Sequence, residues 1–329
     1  MMKKYVVPLL LFVAAFLTGL LCAGHIFIHW GQFSLFLLTP DYFAQVFREP
    51  FPVCRLLLSF VLQFFDIPAV GPFVVAAAVA GVYAAVFALL RKLRVSSALS
   101  QALLSGAVVA ACVAVAVSPS VKEKNCRYAV EQYARQHQWD KVLHIADPYT
   151  AGKDRALIPY ALLALNAKGQ LISGMNEYPL RGPQDLDMEG VQTGEGYWFS
   201  SILDECLGNY NEALHHLFQA SCTLPQGMSQ ITLYQLIRFN MENENYTLAR
   251  KYARILKRNP RNCILASKLL KTLEGKPDRE DTPEPDKAAA PVTTDAPMYN
   301  LAALHQAGIK SDLANERLAA YMKLSEKYD

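Results

Sequence analysis

The amino-acid sequence predicts an all-α protein in which 3–4 transmembrane helices precede an α-solenoid of antiparallel helical hairpins. The first 120 residues contain apolar segments long enough to cross a bilayer and carry few charges. The remainder has helical spacing of apolar residues and a weak internal repeat. We therefore expect a transmembrane region over 1–120, a helical domain over 121–274, a disordered linker over 275–297 and a C-terminal helix over 298–329.

The charge distribution excludes nucleic acid as an expected partner. Residues 1–120 contain seven of the 32 Lys and Arg residues and three of the 29 Asp and Glu residues, so this region carries +4 and the rest −1. The basic excess flanks apolar segments, where it is a topology signal. The seven cysteines are widely spaced, which predicts buried thiols and neither a metal nor a cofactor site.

Three segments, 5–28, 68–90 and 98–117, are predicted to cross the membrane. A helix of 24 residues reaches about 36 Å, and the hydrocarbon core is about 30 Å thick. A cleaved signal peptide is the competing interpretation of the first segment, which is long for one. Small residues such as Gly81 and Gly106 are candidates for close helix contacts in the membrane.

The segment 51–65 is ambiguous, because it is apolar but only about 22 Å long as a helix. It is either a short tilted span or an interfacial segment. Basic residues favour the cytoplasm, and they lie before the first span and after the second: Lys3, Lys4, Arg91, Lys92 and Arg94. Both groups are cytoplasmic only if 51–65 does not cross, which gives a cytoplasmic N-terminus and an extracytoplasmic soluble domain. Four spans would keep that domain in the cytoplasm.

Two stretches of the soluble half share a pattern of a turn, an aromatic residue, spaced small residues and a proline. The first has Gly208, Tyr210, Ala213, Ala220 and Pro225; the second has Tyr246, Ala249, Ala253 and Pro260. The tyrosines are 36 residues apart and the prolines 35. This pattern resembles the tetratricopeptide repeat, a helical hairpin of about 34 residues.

Two fainter units precede these, with turns before Trp139 and Leu171, so the resemblance covers about 122–260. The spacing of the fainter units is irregular. In the last unit Ile237 and Leu256 stand where the repeat usually has small residues. The stretch 179–196 is rich in Gly and Asp and is predicted to be an inserted loop.

The whole chain also resembles an uncharacterised family of bacterial polytopic membrane proteins that end in a tetratricopeptide-like domain. The resemblance rests on Gln32–Phe36, Thr39–Phe43, Leu62–Phe65 and Leu207–Ala220. It implies the bacterial inner membrane as the location and a chain shortened relative to members with more spans. It implies no established activity.

In tetratricopeptide arrays the first helix of each hairpin lines a groove that binds a peptide or helix. Carried over by position, the groove residues are Trp198, Ile202, Glu205, Tyr234, Arg238 and Met241, with Arg127, Glu131 and Arg135 as fainter equivalents. Aromatic and Arg residues are common interface anchors. The resemblance implies a membrane-anchored protein-interaction scaffold without catalysis. The alternative occupant of the groove is the protein's own C-terminal helix.

An enzymatic alternative depends on Asp41, because polytopic sugar transferases that use lipid-linked donors carry a catalytic acid in the corresponding loop. By this analogy the chain is a shortened relative or accessory subunit of such an enzyme. Asp41 begins a predicted surface helix over 41–47. His215 and His216 diverge by about 100° on a helix and therefore suit a shared metal poorly.

Overall fold

The computed structural model describes residues 3–93, 96–188, 193–224, 227–278 and 311–328. These residues form helices joined by turns and loops, and no strand occurs among them, so the all-helical prediction is confirmed. The chain divides into two compact units. The first comprises Met1–Phe36 with Asp41–Tyr128, and the second comprises Leu37–Pro40 with Ala129–Asp329.

Three helices of the first unit are long and apolar enough to cross a membrane, as the sequence predicted. The helices here are α1 (Lys3–Gln32), α2 (Pro40–Val46), α3 (Pro52–Leu62), α4 (Val70–Lys92), α5 (Ser97–Val117) and α6 (Pro119–Arg135). The long apolar ones are α1, α4 and α5. The ambiguous segment forms α3, whose 11 residues reach only about 16 Å. The predicted surface helix is present as α2.

Glycines let α1 and α4 approach closely. A Cβ atom on Gly71 would lie 2.7 Å from the Cβ atom of Phe27, and one on Gly19 would lie 3.2 Å from a proline side chain of α4. Within the described part of the chain, Gly81 and Gly106 have no such neighbour within 4 Å, so neither makes the predicted close contact there. The close approach involves the first turn of α4, and Gly81 lies too far along that helix to take part.

The C-terminal end of α1 packs on the beginning of α6. Here α1 is kinked at Ala23, whose φ is −135°, and the backbone N–H of His25 donates to Asn125 Oδ1 at 2.9 Å. The rings of His29 and Tyr128 stack with centroids 3.7 Å apart. A buried apolar cluster at the same end joins α1, α3, α4 and α6. The first turns of α6 are therefore fixed beside the last turns of α1.

Shorter helices build the second unit. They are α7 (Trp139–Ile145), α8 (Pro148–Lys153), α9 (Ile158–Ala167), α10 (Leu171–Gly174), α11 (Gln184–Asp187), α12 (Gly194–Leu207), α13 (Tyr210–Thr223), α14 (Gln230–Glu242), α15 (Tyr246–Leu256), α16 (Cys263–Leu273) and α17 (Asp312–Tyr328). The 3₁₀ turns Arg155–Leu157 and Met175–Glu177 precede α9 and follow α10.

Four helix–helix turns share one backbone geometry. Their central residues have positive φ angles of 55°, 65°, 75° and 58°; they are His137, Gly169, Gly208 and Glu244. In each turn the next residue donates its N–H to the carbonyl five positions earlier; these bonds join Gln138 to Tyr133, Gln170 to Leu165, Asn209 to Asp204 and Asn245 to Asn240. This is the Schellman arrangement, which ends a helix and reverses the chain. The two fainter turns adopt the same geometry as the two clear ones.

Small residues lie where the paired helices touch. Ala213, Ala220, Ala249 and Ala253 are buried. The hydroxyl of Ser201 donates to the Ala213 carbonyl across the α12–α13 pair at 3.1 Å. The expected closing proline, Pro225, lies outside the described residues.

The C-terminal helix α17 docks through a buried ion pair. Arg317 lies 2.8 Å from Asp187, and both side chains are almost fully buried. The Tyr321 hydroxyl also donates to Asp187, and Glu316 accepts the N–H groups of Leu171 and Ile172. The stretch predicted as an inserted loop thus provides part of the docking site of α17, together with α9 and α10. The predicted linker beyond residue 278 and residues 298–310 lie outside the described residues.

The prediction that the cysteines are buried is wrong. All seven are free thiols; Cys54 and Cys222 are exposed and the other five are partly exposed. A thiol is small and only weakly polar, so it is tolerated on a partly covered helix face as well as in a buried core.

Candidate functional site

The predicted groove residues lie on α6, α12 and α14, and the structure connects them in two groups. In the first group Trp198 of α12 donates its Nε1–H to Glu131 Oε1 of α6 at 2.9 Å. Arg135, one turn after Glu131, lies 3.7 Å from the same oxygen and places its guanidinium 5.6 Å from the centre of the Trp198 ring. Residues 67 positions apart in the sequence therefore form one polar contact.

The second group joins α12 to α14. Arg238 donates from Nη2 to Glu205 Oε1 and from Nη1 to Gln235 Oε1, the latter at 2.9 Å. His137 Nε2, in the turn after α6, lies 3.7 Å from Glu205 Oε1. The second carboxylate oxygen of Glu205, Oε2, is buried and has no hydrogen-bond partner among the described residues.

The site has a buried floor and an exposed edge. Trp198, Ile202 and Glu205 are 3%, 1% and 5% exposed. The side chains of Arg238 and His137 are 33% and 46% exposed. Two further predicted residues, Tyr234 and Met241, are half-buried, and Arg127 is exposed one turn before Glu131.

Burial sets the electrostatics of the floor. It raises the pKa of Glu131 to about 7, against the opposing effects of the Arg135 charge and the Trp198 hydrogen bond. It also lowers the pKa of Arg135, although the Glu131 charge opposes that shift. Tyr160 of α9 has its pKa raised well above the ordinary value by burial and by the charge of Glu131. In this buried floor an unpaired charged side chain is therefore unfavourable, and a charge is stable only beside an opposite charge.

Sequence reasoning missed three members of this site, namely Tyr160, His137 and Gln235. Tyr160 is hidden in an apolar run that reads only as a buried helix. His137 lies in a turn, and its proximity to Glu205 depends on the Schellman geometry there.

Two neighbouring acids of α12 have separate partners. Glu205 pairs with Arg238, whereas Asp204 Oδ2 lies 2.7 Å from His216 Nδ1 of α13. Burial raises the pKa of Asp204 to about 6, opposed by the His216 hydrogen bond. Both acid side chains are largely buried.

The residues of the enzymatic alternative lie in the first unit. Asp41 is exposed in the first turn of α2. Glu49 forms an exposed ion pair with Arg55. In the described part of the chain, no three His, Cys, Asp or Glu residues converge as metal ligands would.

Hydrogen bonds of the C-terminal helix α17 reach α9, α10, the end of α11 and the Leu180 carbonyl before it. These partners are not the predicted groove residues Tyr234, Arg238 and Met241.

Comparison with known proteins yields one family. The profile of a family of unknown function, DUF6057, matches residues 1–121 and 109–295. No curated protein and no solved structure matches the chain. The two matched segments together include far more than half of the 329 residues. The chain therefore belongs to the family of unknown function DUF6057.

Proposed function

We propose that the protein is a membrane-anchored scaffold whose paired helices form a tetratricopeptide-like solenoid and bind a protein or peptide along their first helices. The observation that carries this proposal is the line of polar side chains across α6, α12 and α14, which has a buried floor and an exposed edge. Such an arrangement suits recognition, because anchors at the edge meet a rigid, desolvated surface.

The solenoid is supported by the four turns of equal geometry. Each turn ends one helix and leads into the next with the same two hydrogen bonds, and one repeated connection favours a regular stack of helix pairs. The ring contact of Tyr210 with Phe239, whose centroids are 6.0 Å apart, bridges two consecutive pairs. An aromatic residue is expected there if the pairs stack as tetratricopeptide units do.

Glu205 is the best candidate for a specific contact with the partner. Its side chain is almost fully buried and its Oε2 atom has no hydrogen-bond partner among the described residues. A buried carboxylate oxygen without a donor costs about 1–3 kcal/mol. An N–H group of a bound peptide that displaces the side chains covering this oxygen would remove that cost. The half-exposed Arg238 and Tyr234 would contact the same peptide at the edge.

Photocrosslinking in cells tests this proposal. A photoreactive phenylalanine analogue replaces Tyr234, and the matched control places it at the exposed Tyr149 of α8. We expect an adduct with a second polypeptide from position 234 only, and we expect Glu205→Gln to weaken it. Capture solely of the chain's own residues 298–328 from position 234 would defeat the partner proposal.

An extracytoplasmic position of the scaffold is part of the proposal. The contacts of His25 with Asn125 and of His29 with Tyr128 join the end of α1 to the beginning of α6. These two ends therefore belong on one side of the membrane, which requires an even number of crossings between them. Helices α4 and α5 supply two crossings, and α3 is too short to add a third. With Lys3 and Lys4 in the cytoplasm, α6 then begins outside.

Thiol labelling tests this topology. In a background whose native cysteines are replaced, a cysteine introduced by Ser325→Cys in the partly exposed part of α17 should react with an impermeant maleimide in intact cells. Labelling only after permeabilisation would contradict the proposed orientation without affecting the proposed groove.

A further inference from the structure

The helices α15 and α16 carry a dense positive charge that the groove does not use. Between Asn245 and Glu274 the chain has eight basic residues and no acidic one. Six of the eight are exposed: Lys251, Arg254, Lys257, Arg258, Lys268 and Lys271. We refer to these six residues as the basic face. Of the other two, Arg250 is bonded to the Leu273 and Lys276 carbonyls and lies near Asp278.

Exposed apolar side chains accompany this charge. Ile264 is 70% exposed and Leu265 is 40% exposed on α16. Ile264 lines an open depression of about 550 Å³ together with Lys257, Cys263, Ser267, Lys268 and Lys271. The depression thus combines an apolar surface with three ammonium groups. This combination matches an anionic amphiphile, whose phosphate meets the lysines while its hydrocarbon covers the isoleucine.

The chain connects the basic face closely to an apolar helix. The backbone N–H of Leu38 donates to the Arg258 carbonyl at 2.9 Å, and Leu38 itself is 55% exposed. Five residues lie between Leu38 and Gln32, the last residue of α1. That tether is about 20 Å long at full extension. The backbone beside the basic face is therefore attached by a short connection to a helix long enough to span a bilayer.

We propose that the basic face binds anionic phospholipids of the bilayer in which the protein is anchored. The lysines around the depression contact headgroup phosphates, and Ile264 and Leu265 enter the interfacial layer. Juxtamembrane basic clusters bind anionic lipid surfaces in this manner, with a contribution of roughly fivefold for each Lys or Arg near the surface. The inference needs the membrane anchoring of the proposed function and is independent of the groove.

The test uses the full-length protein in lipid nanodiscs. An environment-sensitive fluorophore is attached through Ile264→Cys in a background whose native cysteines are replaced, and a lipid-soluble quencher reports contact with the bilayer. The matched control label is placed by Tyr149→Cys, because Tyr149 is 72% exposed and lies outside the basic face. Discs of phosphatidylcholine alone are compared with discs that also contain phosphatidylglycerol.

We expect quenching at position 264 in phosphatidylglycerol discs, little in phosphatidylcholine discs, and none at position 149 in either. The contact should weaken in 1 M salt, where the Debye length is about 3 Å. Replacing the three lysines of the depression with glutamine should weaken the contact on the order of 100-fold. A control triple variant, Lys141→Gln, Lys323→Gln and Lys327→Gln, removes the same charge from other elements and should leave the contact intact.

Three results would overturn the proposal. Equal quenching in both kinds of disc would exclude recognition of lipid charge. Protection of position 264 from an aqueous quencher, independent of lipid composition, would assign the basic face to another occupant such as an acidic protein segment. Inorganic phosphate and sodium chloride are also compared at the same physiological ionic strength. If only phosphate abolishes the lipid contact, free phosphate is the ligand. Failure of the protein to insert into the discs would instead refute the membrane anchoring.

Discussion

Replacing Glu131 with glutamine should change the pH dependence of stability in a defined direction. Burial raises the pKa of Glu131 from 4.5 to about 7, so the fold favours its neutral form. A group whose pKa is raised on folding contributes stability fully below its unfolded pKa and loses it as pH rises through the folded pKa. The contribution of Glu131 is therefore present below about pH 4.5 and is lost by about pH 7 and above.

The size of the effect follows from the shift. A difference of about 2.5 pKa units corresponds to at most about 3 kcal/mol, at 1.36 kcal/mol per unit. Glutamine retains an acceptor oxygen for the Trp198 Nε1–H group and has no proton to lose. We therefore expect Glu131→Gln to match the wild type near pH 4.5 and to exceed its free energy of unfolding at pH 8 by up to about 3 kcal/mol.

Thermal unfolding of the full-length protein in detergent, followed by tryptophan fluorescence at several pH values, measures this difference. The matched control is Glu123→Gln, an exposed glutamate two turns earlier on α6, which should behave as the wild type at each pH. Asp204, whose pKa is also raised, adds the same pH dependence to every variant and cancels in the comparison. If Glu131→Gln destabilises the protein at pH 8, then Glu131 is ionised and paired with Arg135 there, and the reasoning is refuted.

Three further outcomes are expected. Glu244→Gly should raise the free energy of unfolding by about 0.5–1 kcal/mol, because Glu244 has a positive φ that glycine adopts without strain, and Gly208→Ala should lower it by a similar amount; unfolding midpoints that do not move in opposite directions would contradict the turn geometry. Arg317→Ala should destabilise the docking of α17 by about 3–5 kcal/mol and expose that helix to protease, whereas the exposed Lys323→Ala should not; equal protection in both variants would count against the buried ion pair. Asp41→Asn should leave partner capture from position 234 unchanged, whereas loss of an enzymatic activity in this variant with the fold intact would favour the enzymatic alternative.

The turns show how far local sequence determines this fold. Gly169 and Gly208 directly predict helix ends that are closed by a residue with positive φ, since glycine adopts that conformation without strain. His137 and Glu244 adopt the same conformation without any such signal. Their geometry follows from the packing of the helices on either side, which a single sequence does not reveal.

The resemblance to the tetratricopeptide repeat placed Glu131, Trp198, Glu205 and Arg238 along one groove but predicted no pairing among them. In the structure Trp198 contacts Glu131 and Arg238 contacts Glu205. Their division into two groups depends on the spacing between helices. A single sequence does not give that spacing, so neither the division nor the contribution of Tyr160 could be derived beforehand.

Two features depend on how distant helices pack and could not be predicted from the sequence: the close contact of α1 with α4 and the docking of α17. The glycines that matter between α1 and α4 are those at the level of Phe27, and that level is set by the packing of the two helices and not by composition. Likewise, the docking of α17 on Asp187 joins residues 130 positions apart through charges that both look solvated in the sequence. Long-range ion pairs of this kind carry no local pattern.

Affinity purification of the intact protein in detergent tests the central claim most directly. Three forms are compared: the wild type, the edge variant Tyr234→Ala with Arg238→Ala, and the control Tyr149→Ala. The proposal predicts a specific polypeptide that co-purifies with the wild type and the control and is reduced at least tenfold with the edge variant, as expected for loss of anchors worth more than about 1.4 kcal/mol. Equal recovery of every co-purified polypeptide with all three folded forms would contradict the groove as the functional site.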